Sequence, residues 1–298
     1  MSYIDKDTAE MPVLGDETDA FFSDVSKPFV VTVGARTDKG LRREENQDHH
    51  AVVRRTRSQQ VLLSDGLLKQ GLEAEEDAYV LIVADGMGGA AFGEYASRHV
   101  IQTLWELTTR ATSWVMRIKN LDLQQVRARV QAYVVELQRA LRQECERDSK
   151  LTGMGTTLTA AYILGRDAVI AHIGDCRAYL FRSGSLMQIT EDQTVAQRLI
   201  QLGSKPHEVT QFSHMLSNCL STEQEAVEAA IVHVPLKEGD RLLLCSDGLT
   251  KELADEELRG TLSEAIPPQQ ICDRLLQMAL NRGARDNVTV IVADLQGG

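Results

Sequence analysis

Cysteine is scarce in this 298-residue chain, and its five cysteines are not arranged in pairs. An odd number of widely spaced cysteines, with no Cys-x-x-Cys pair, indicates neither a disulfide framework nor a cysteine zinc site. Such usage is typical of a reducing compartment. We therefore expect a cytoplasmic protein, and a chain of this length can bury a substantial core without cross-links.

Long apolar runs and an excess of positive charge are also lacking. The longest apolar run, residues 78–84, is much too short to span a bilayer, and the first residues are acidic instead of basic and then apolar. With 32 Lys and Arg against 43 Asp and Glu, the formal net charge is −11, which is the wrong sign for holding a polyanion. The sequence therefore predicts neither a membrane nor a nucleic acid as a partner.

The chain divides into a short tail and one domain. Residues 1–27 carry seven acidic side chains against two lysines and have no sustained periodicity, which predicts a mobile tail. Regular apolar patterns begin directly afterwards and continue to the last residues. We therefore expect a single domain over residues 28–298.

Within this domain, β-branched apolar runs predict strands and apolar residues at helical spacing predict helices. The predicted helices cover residues 94–109, 123–147, 195–202, 255–262 and 269–281. The predicted strands cover residues 29–33, 80–84, 156–163, 169–173, 178–181, 186–189, 231–234, 241–245 and 287–294, with a further strand considered at 61–63 and a loop at 69–77. Segregated runs of strands and helices favour α+β layers over a doubly wound sheet, and the short connections favour antiparallel meanders.

Five aspartates stand at or near the ends of these strands. Asp85, Asp175 and Asp247 follow predicted strands, while Asp48 and Asp286 flank strands near the two ends of the domain. Converging carboxylates without histidine suit Mg²⁺ or Mn²⁺ and not zinc. The alternative for any single Asp-Gly pair is a tight turn, which is a common role of that dipeptide.

Six short motifs, taken together, carry a resemblance to a known family. In chain order they are Asn46-Gln47-Asp48, Asp85-Gly86-Met87-Gly88-Gly89, Gly153-Met154-Gly155-Thr156-Thr157, Gly174-Asp175-Cys176-Arg177, Ser246-Asp247-Gly248-Leu249 and Asp286-Asn287-Val288. They resemble the ordered motifs of the metal-dependent type 2C (PPM) protein serine/threonine phosphatases in their bacterial form. This resemblance implies two antiparallel β-sheets packed as a sandwich and flanked on both sides by helices, which agrees with the segregated pattern.

The resemblance also implies a role for each residue of a central site. Asp85 would bridge two ions, Mn²⁺ or Mg²⁺, and Gly86 would offer its backbone carbonyl. Asp247 and Asp286 would complete the shell of one ion, and Asp48 would act on the second. Two such ions can share a water, lower its pKa and aim it at phosphorus. The expected hydrolysis therefore has no covalent intermediate.

Two further residues extend this expected site. Asp175 matches the residue that, with the position of Asp247, creates a third and weaker metal site in bacterial relatives. Arg43 resembles the phosphate-binding arginine, whose guanidinium fork fits two phosphoryl oxygens. Arg42 is the adjacent rival, and the family spacing favours Arg43.

Met87 departs from the eukaryotic form of the pattern. Those enzymes have a histidine at this position as the proton donor to the leaving alkoxide, and methionine cannot donate a proton. Bacterial relatives commonly have methionine here too. The proton would then come from metal-bound water or from another histidine, such as His49, His50 or His207.

The sequence thus predicts a protein serine/threonine phosphatase that acts on phosphorylated proteins, the targets of a serine/threonine kinase. One alternative is a catalytically inactive regulatory module of the same fold, which the full set of metal carboxylates disfavours. Another is a phosphohydrolase of the haloacid dehalogenase type, but the Asp-x-Asp-Gly motif of that class does not occur.

Two further segments are interpreted from the sequence. Residues 190–215 match the family's flap beside the cleft. Asp65-Gly66, which imitates Asp247-Gly248, is interpreted as a hairpin turn.

Overall fold

The computed structural model describes residues 29–57, 76–88, 90–110 and 123–297. In these residues the chain forms twelve strands and seven α-helices. The strands are β1 (Val30–Asp38), β2 (Asp48–Arg57), β3 (Glu76–Met87), β4 (Gly155–Thr156), β5 (Leu158–Leu164), β6 (Asp167–Ile173), β7 (Arg177–Arg182), β8 (Ser185–Gln188), β9 (Leu220–Ser221), β10 (Ala230–Pro235), β11 (Arg241–Cys245) and β12 (Val288–Gln296). The helices are α1 (Ala90–Arg110), α2 (Leu123–Arg147), α3 (Val195–Gln201), α4 (Pro206–Val209), α5 (Asp247–Thr250), α6 (Asp255–Leu262) and α7 (Pro268–Asn281).

The strands form two antiparallel sheets. The first sheet has the order β1-β12-β11-β7-β8. The second has the order β10-β6-β5-β3, and β3 pairs with β2 on its other side and continues into a short pairing with β4, which pairs with β9. The α+β sandwich that the sequence predicts is therefore confirmed.

Three apolar clusters hold four layers together. The inner faces of the two sheets meet in a cluster that includes Leu81, Ile170 and Leu244. Helices α6 and α7 cover the outer face of the first sheet, while α1 and α2 cover the outer face of the second. Strand β12 is buried on both faces, because its alternate residues point into the inner cluster and into the cluster under α6 and α7.

Most predicted elements are found, with small changes of length. The spans 123–147, 241–245 and 255–262 are confirmed at both ends. The sequence reasoning missed β2, a strand with three arginines and two histidines that lies at a sheet edge and therefore lacks a continuous apolar run. The predicted tail, the candidate strand at 61–63, the Asp65-Gly66 turn and residues 69–75 of the predicted loop lie outside the described residues.

The meander interpretation is correct within each sheet and wrong between β6 and β7. Strand β6 belongs to the second sheet and β7 to the first, so the chain crosses from one sheet to the other through residues 174–176. Gly174 makes this crossing in a left-handed conformation with φ of 106°. Asp175 is thereby placed between the sheets instead of at a hairpin tip. No helix in the described part of the chain is long and apolar enough to cross a membrane.

Candidate metal centre

Two of the predicted site residues face each other across neighbouring strands. Asp48 begins β2 and lies directly opposite Asp85, near the end of β3. Asp48 is almost completely buried, at 3% exposure, and neither of its carboxylate oxygens accepts a hydrogen bond of normal geometry, although the Ser246 and Thr289 hydroxyls lie nearby. Like charges directly opposite each other destabilise a sheet. A buried carboxylate of this kind calls for a cation.

The pKa values of the Asp48 and Asp85 carboxyl groups reflect their burial and the other negative charges close to them. Burial raises the pKa of Asp48 to about 6, and the charges of Asp247 and Asp286 add to this rise, which the nearby Ser246 and Thr289 hydroxyls offset only in part. Burial also raises the pKa of Asp85 well above its usual range, and the other four aspartates of the predicted site all contribute to that rise. The other four predicted aspartates therefore all lie within electrostatic reach of Asp85.

The backbone around Asp85 is fixed from the following strands. The amide of Asp85 donates to the hydroxyl of Thr157, and its carbonyl accepts from the amide of Thr157, each at 2.9 Å. The hydroxyl of Thr156 donates to the same carbonyl at 2.9 Å. The motif around Gly155 therefore positions Asp85.

Gly86 lies where helix α1 comes very close to β3. A Cβ atom on this residue would be 2.1 Å from the carbonyl oxygen of Gly93 and 2.8 Å from that of Gln47. Only glycine fits between these two carbonyls. The close approach joins the end of β3 to the segment that leads into Asp48.

Asp175 occupies the crossing between the sheets and is 8% exposed. Burial raises its pKa to about 7, and the charge of Asp247 adds to the effect. The predicted flap begins beside it, because the amide of Gln193 donates to the carbonyl of Gly174 at 2.7 Å and the Gln193 side chain accepts from the amide of Gly174 at 2.8 Å. Helices α3 and α4 lie within that flap segment.

Asp247 and Asp286 complete the set from two more elements. Asp247 follows β11 as the first residue of α5, and Asp286 precedes β12. One oxygen of Asp247, Oδ1, is buried without a hydrogen-bond partner, while Oδ2 lies 2.5 Å from Nζ of Lys251. The same ammonium lies 2.9 Å from Oδ2 of Asp286. Burial raises the pKa of Asp247.

Arg43 reaches this cluster and Arg42 does not. Nε of Arg43 lies 2.8 Å from Oδ1 of Asp286, whereas Arg42 is exposed and forms no ion pair with any described residue. Burial alone would raise the pKa of Asp286, but Lys251 and Arg43 together hold it below its usual value. The structure therefore brings Arg43, and not Arg42, to the aspartate cluster, and its role in phosphate binding stays a prediction.

Asn287 is a positioning residue that the sequence reasoning did not single out. Its side-chain amide donates to the carbonyls of Lys39 and Glu45, both at 2.9 Å, and its side-chain oxygen accepts from the amide of Gln47 at 2.9 Å. These three bonds hold the loop that carries Arg43 and leads into Asp48. The only available signal was its place beside Asp286 in a motif.

The three histidines considered as proton donors lie in different places. His49 points away from Asp48, as neighbouring strand residues do, and its Nδ1 lies 2.9 Å from the hydroxyl of Ser97 on α1. Burial lowers the pKa of both His49 and His50, and His207 is exposed on α4. Met87 pairs with Gly155 across β3 and β4. None of these positions provides a hydrogen bond to the aspartate cluster in the described structure.

The donor set fits hard divalent cations. It offers carboxylate oxygens and a backbone carbonyl, with three buried carboxylate oxygens that have no hydrogen-bond partner. Among the described residues, however, no three acidic, histidine or cysteine side chains are close enough together to share one ion as they stand. Lys251 and Arg43 neutralise part of the charge in this arrangement.

Comparison with known proteins decides which family has this site. Residues 55–289 match the family model described as protein phosphatase 2C. The chain belongs to the protein phosphatase 2C family. The match includes Asp85, Gly86, Asp175, Asp247 and Asp286, whereas Arg43 and Asp48 precede it.

Individual relatives of the protein phosphatase 2C family agree with this. The chain is 35% identical over 273 residues to the serine/threonine protein phosphatase PstP of Mycobacterium tuberculosis, covering 89% of this chain but only 45% of that protein. It is 29% identical over 262 residues to the serine/threonine phosphatase stp of Listeria welshimeri, covering 87% of this chain and 94% of that protein. These names favour a phosphatase over an inactive binding module.

Solved structures of the protein phosphatase 2C family confirm the fold. A crystal structure of M. tuberculosis PstP superposes with a TM-score of 0.70 at 34% identity, over 90% of this chain and 99% of that one. The catalytic domain of PstP in complex with two manganese ions superposes with a TM-score of 0.69 at 34% identity. Staphylococcus aureus Stp1 superposes with a TM-score of 0.71 at 26% identity, over 90% and 96% of the two chains.

Proposed function

We propose that this chain is a metal-dependent protein phosphatase that hydrolyses phosphoserine and phosphothreonine in phosphorylated proteins, the targets of a serine/threonine kinase. The observation that carries the proposal is the meeting of five aspartates, with three unpartnered buried carboxylate oxygens, beside an arginine side chain. The two manganese ions in the relative PstP support Mn²⁺ or Mg²⁺ for this chain. A single domain over residues 28–298, a cytoplasmic location and the absence of membrane or nucleic-acid partners stay predictions.

The proposed roles follow from where each side chain lies. Asp85, Asp247 and Asp286 would hold the central pair of ions together with the carbonyl of Gly86, and Asp48 would act beside the second ion. When bound, such ions lower the pKa of water and so supply a nucleophile at neutral pH. The aspartates would therefore orient ions and would not attack phosphorus themselves.

Asp175 is proposed to hold a third, weaker ion together with Asp247. Its burial and its raised pKa near 7 support a carboxylate that a cation would stabilise. The flap begins at the same turn, through the two hydrogen bonds between Gln193 and Gly174. Binding at Asp175 would therefore be coupled to the position of the flap.

Arg43 is proposed to bind the phosphoryl group. Its side chain is 54% exposed, so it can reach a substrate while Asp286 aligns its guanidinium at 2.8 Å. A guanidinium makes paired hydrogen bonds to two phosphoryl oxygens and balances charge in the transition state. Met87 cannot donate a proton. The proton for the leaving serine or threonine oxygen would therefore come from water at the ions.

The proposed activity predicts a strict metal requirement without a phosphoenzyme. Purified protein should release phosphate from an aryl phosphate and from phosphoserine and phosphothreonine peptides only with added Mn²⁺ or Mg²⁺, and a chelator should stop the reaction. Acid-quenched single turnovers, analysed by intact mass, should contain only unmodified protein. Activity that resists the chelator, or a phosphoaspartate adduct, would overturn the proposal.

The proposed role of Arg43 predicts a selective loss. Arg43→Ala should lower kcat/KM for phosphopeptides about 10- to 100-fold, since a hydrogen bond to a charged group contributes roughly 1.5–3 kcal/mol. Arg42→Ala removes the same charge one residue earlier and should leave kcat/KM nearly unchanged. Steady-state kinetics at saturating Mn²⁺ measure both variants. Equal losses in the two would contradict a specific phosphate contact.

A further inference from the structure

Lys251 joins two carboxylates that come from separate elements. It lies one helical turn after Asp247, and its ammonium is 2.5 Å from Oδ2 of Asp247 and 2.9 Å from Oδ2 of Asp286. Its amide also donates to the carbonyl of Asp247 at 2.8 Å, which fixes the start of its side chain. Lys251 is therefore fixed at its backbone by Asp247, and its ammonium is held between the carboxylate that follows β11 and the carboxylate that precedes β12.

These two carboxylates are the ones assigned above to the shell of one metal ion. A carboxylate oxygen that accepts a short hydrogen bond from an ammonium has one lone pair fewer to offer a metal ion. A divalent cation on the same oxygens would lie within a few ångströms of the ammonium, and two positive charges at such a distance repel strongly. The metal and Lys251 therefore compete for Oδ2 of Asp247 and Oδ2 of Asp286 in this arrangement.

The ammonium of Lys251 can also move out of the site into solvent. Its side chain is 42% exposed, and lysine has a long, flexible stem with a strongly hydrated ammonium. Nothing in the described structure holds the ammonium except the two aspartates. Moving it into solvent would expose both oxygens without unfolding α5.

We propose that Lys251 is a tethered counter-cation that competes with the divalent ion for Asp247 and Asp286, and so weakens metal binding while stabilising the metal-free protein. The inference rests on the proposed metal site. Competition of this kind makes occupancy depend on the concentration of the free ion. The protein would lose its ion readily and keep its fold when it does.

The test compares Lys251→Met with the unchanged protein in calorimetric titrations with Mn²⁺. Lys251→Met should bind the ion about tenfold more tightly, because no ion pair has to be broken first. Without metal, its melting temperature should be lower than that of the unchanged protein, and saturating Mn²⁺ should close this gap. Lys251→Gln removes the charge but keeps a donor, and it should behave as Lys251→Met does.

Two control variants separate competition from a general change of charge. Lys251→Arg keeps a cation and should keep the weaker affinity. Arg285→Met removes a cation beside Asp286 that pairs instead with Glu252, and it should leave the Mn²⁺ affinity unchanged. An unchanged or weaker affinity in both Lys251→Met and Lys251→Gln would overturn the inference while leaving the metal site standing. Absence of Mn²⁺ binding in the unchanged protein and all variants would overturn the metal site and the inference together.

Discussion

Replacing Asp85 with asparagine should lower metal-dependent turnover by several orders of magnitude. The substitution keeps the shape of the side chain. It removes the charge of the carboxyl group whose pKa all four other site aspartates raise. In the proposed site this carboxylate would hold both central ions, so its loss would weaken the binding of each. Phosphopeptide hydrolysis and Mn²⁺ calorimetry measure the two consequences separately.

A matched control for this variant is available in the same domain. Asp240 is also buried, at 1% exposure, and its carboxylate accepts from Arg182 at 2.6 and 2.8 Å. It directly precedes β11, whereas Asp247 follows the other end of that strand. Asp240→Asn should lower the melting temperature, because it weakens a buried ion pair, and should keep kcat. Retention of most metal-dependent activity by Asp85→Asn would refute its role as the shared ligand.

Gly248→Ala should remove metal binding and destabilise the domain at once. A Cβ atom on Gly248 would lie 1.9 Å from the carbonyl oxygen of Asn287, a distance at which the backbone has to move. The residues just before these two are Asp247 and Asp286, so the movement separates two proposed ligands of one ion. Strained or overpacked positions of this kind are among the most destabilising substitutions. Calorimetry with Mn²⁺ and thermal unfolding measure both effects.

The same substitution in a roomy position provides the control. Gly260 lies inside helix α6, and a Cβ atom there would meet no atom within 4 Å. Gly260→Ala should raise stability by about 0.5–1 kcal/mol, since alanine favours a helix interior over glycine, and should leave the Mn²⁺ affinity unchanged. Normal affinity and melting temperature in Gly248→Ala would contradict the close approach that the structure describes.

The elements that the sequence predicted well are those with a repeating apolar pattern. Helix α2 has apolar residues at helical spacing over its whole length, and its bounds were predicted correctly. Strand β2 was missed because, among the described strands, it pairs with β3 alone, so its pattern of burial is weak. The crossing at Gly174 was missed because a short connection has the same composition whether it turns back or changes sheet.

The candidate site likewise has residues that the sequence could single out and contacts that it could not. Asp85, Asp175 and Asp247 could be singled out because they stand beside glycines at strand ends. Asp48 and Asp286 have no such neighbour and were singled out through the motifs of the family that the sequence resembles. The hydrogen bonds of Asn287 to the Arg43 loop and the contact of Lys251 with Asp286 join residues that meet only in the folded chain. Asn287 and Glu45, for example, are about 240 residues apart in sequence. Side chains of such common types carry no local pattern that reveals these contacts.

The pairing of β1 with β12 has a consequence for when the proposed metal centre can form during synthesis. Strand β12 lies between β1 and β11, and it pairs with β1 from Val30 opposite Gln296 to Asp38 opposite Val288. A growing chain therefore exposes the unpaired edges of β1 and β11 until this late strand is added, and unpaired edges invite aggregation. Asp286 and Asn287 emerge only just before β12. The loop bearing Arg43 thus stays unanchored until translation of the domain is nearly complete, because Asn287 holds that loop and lies directly before β12.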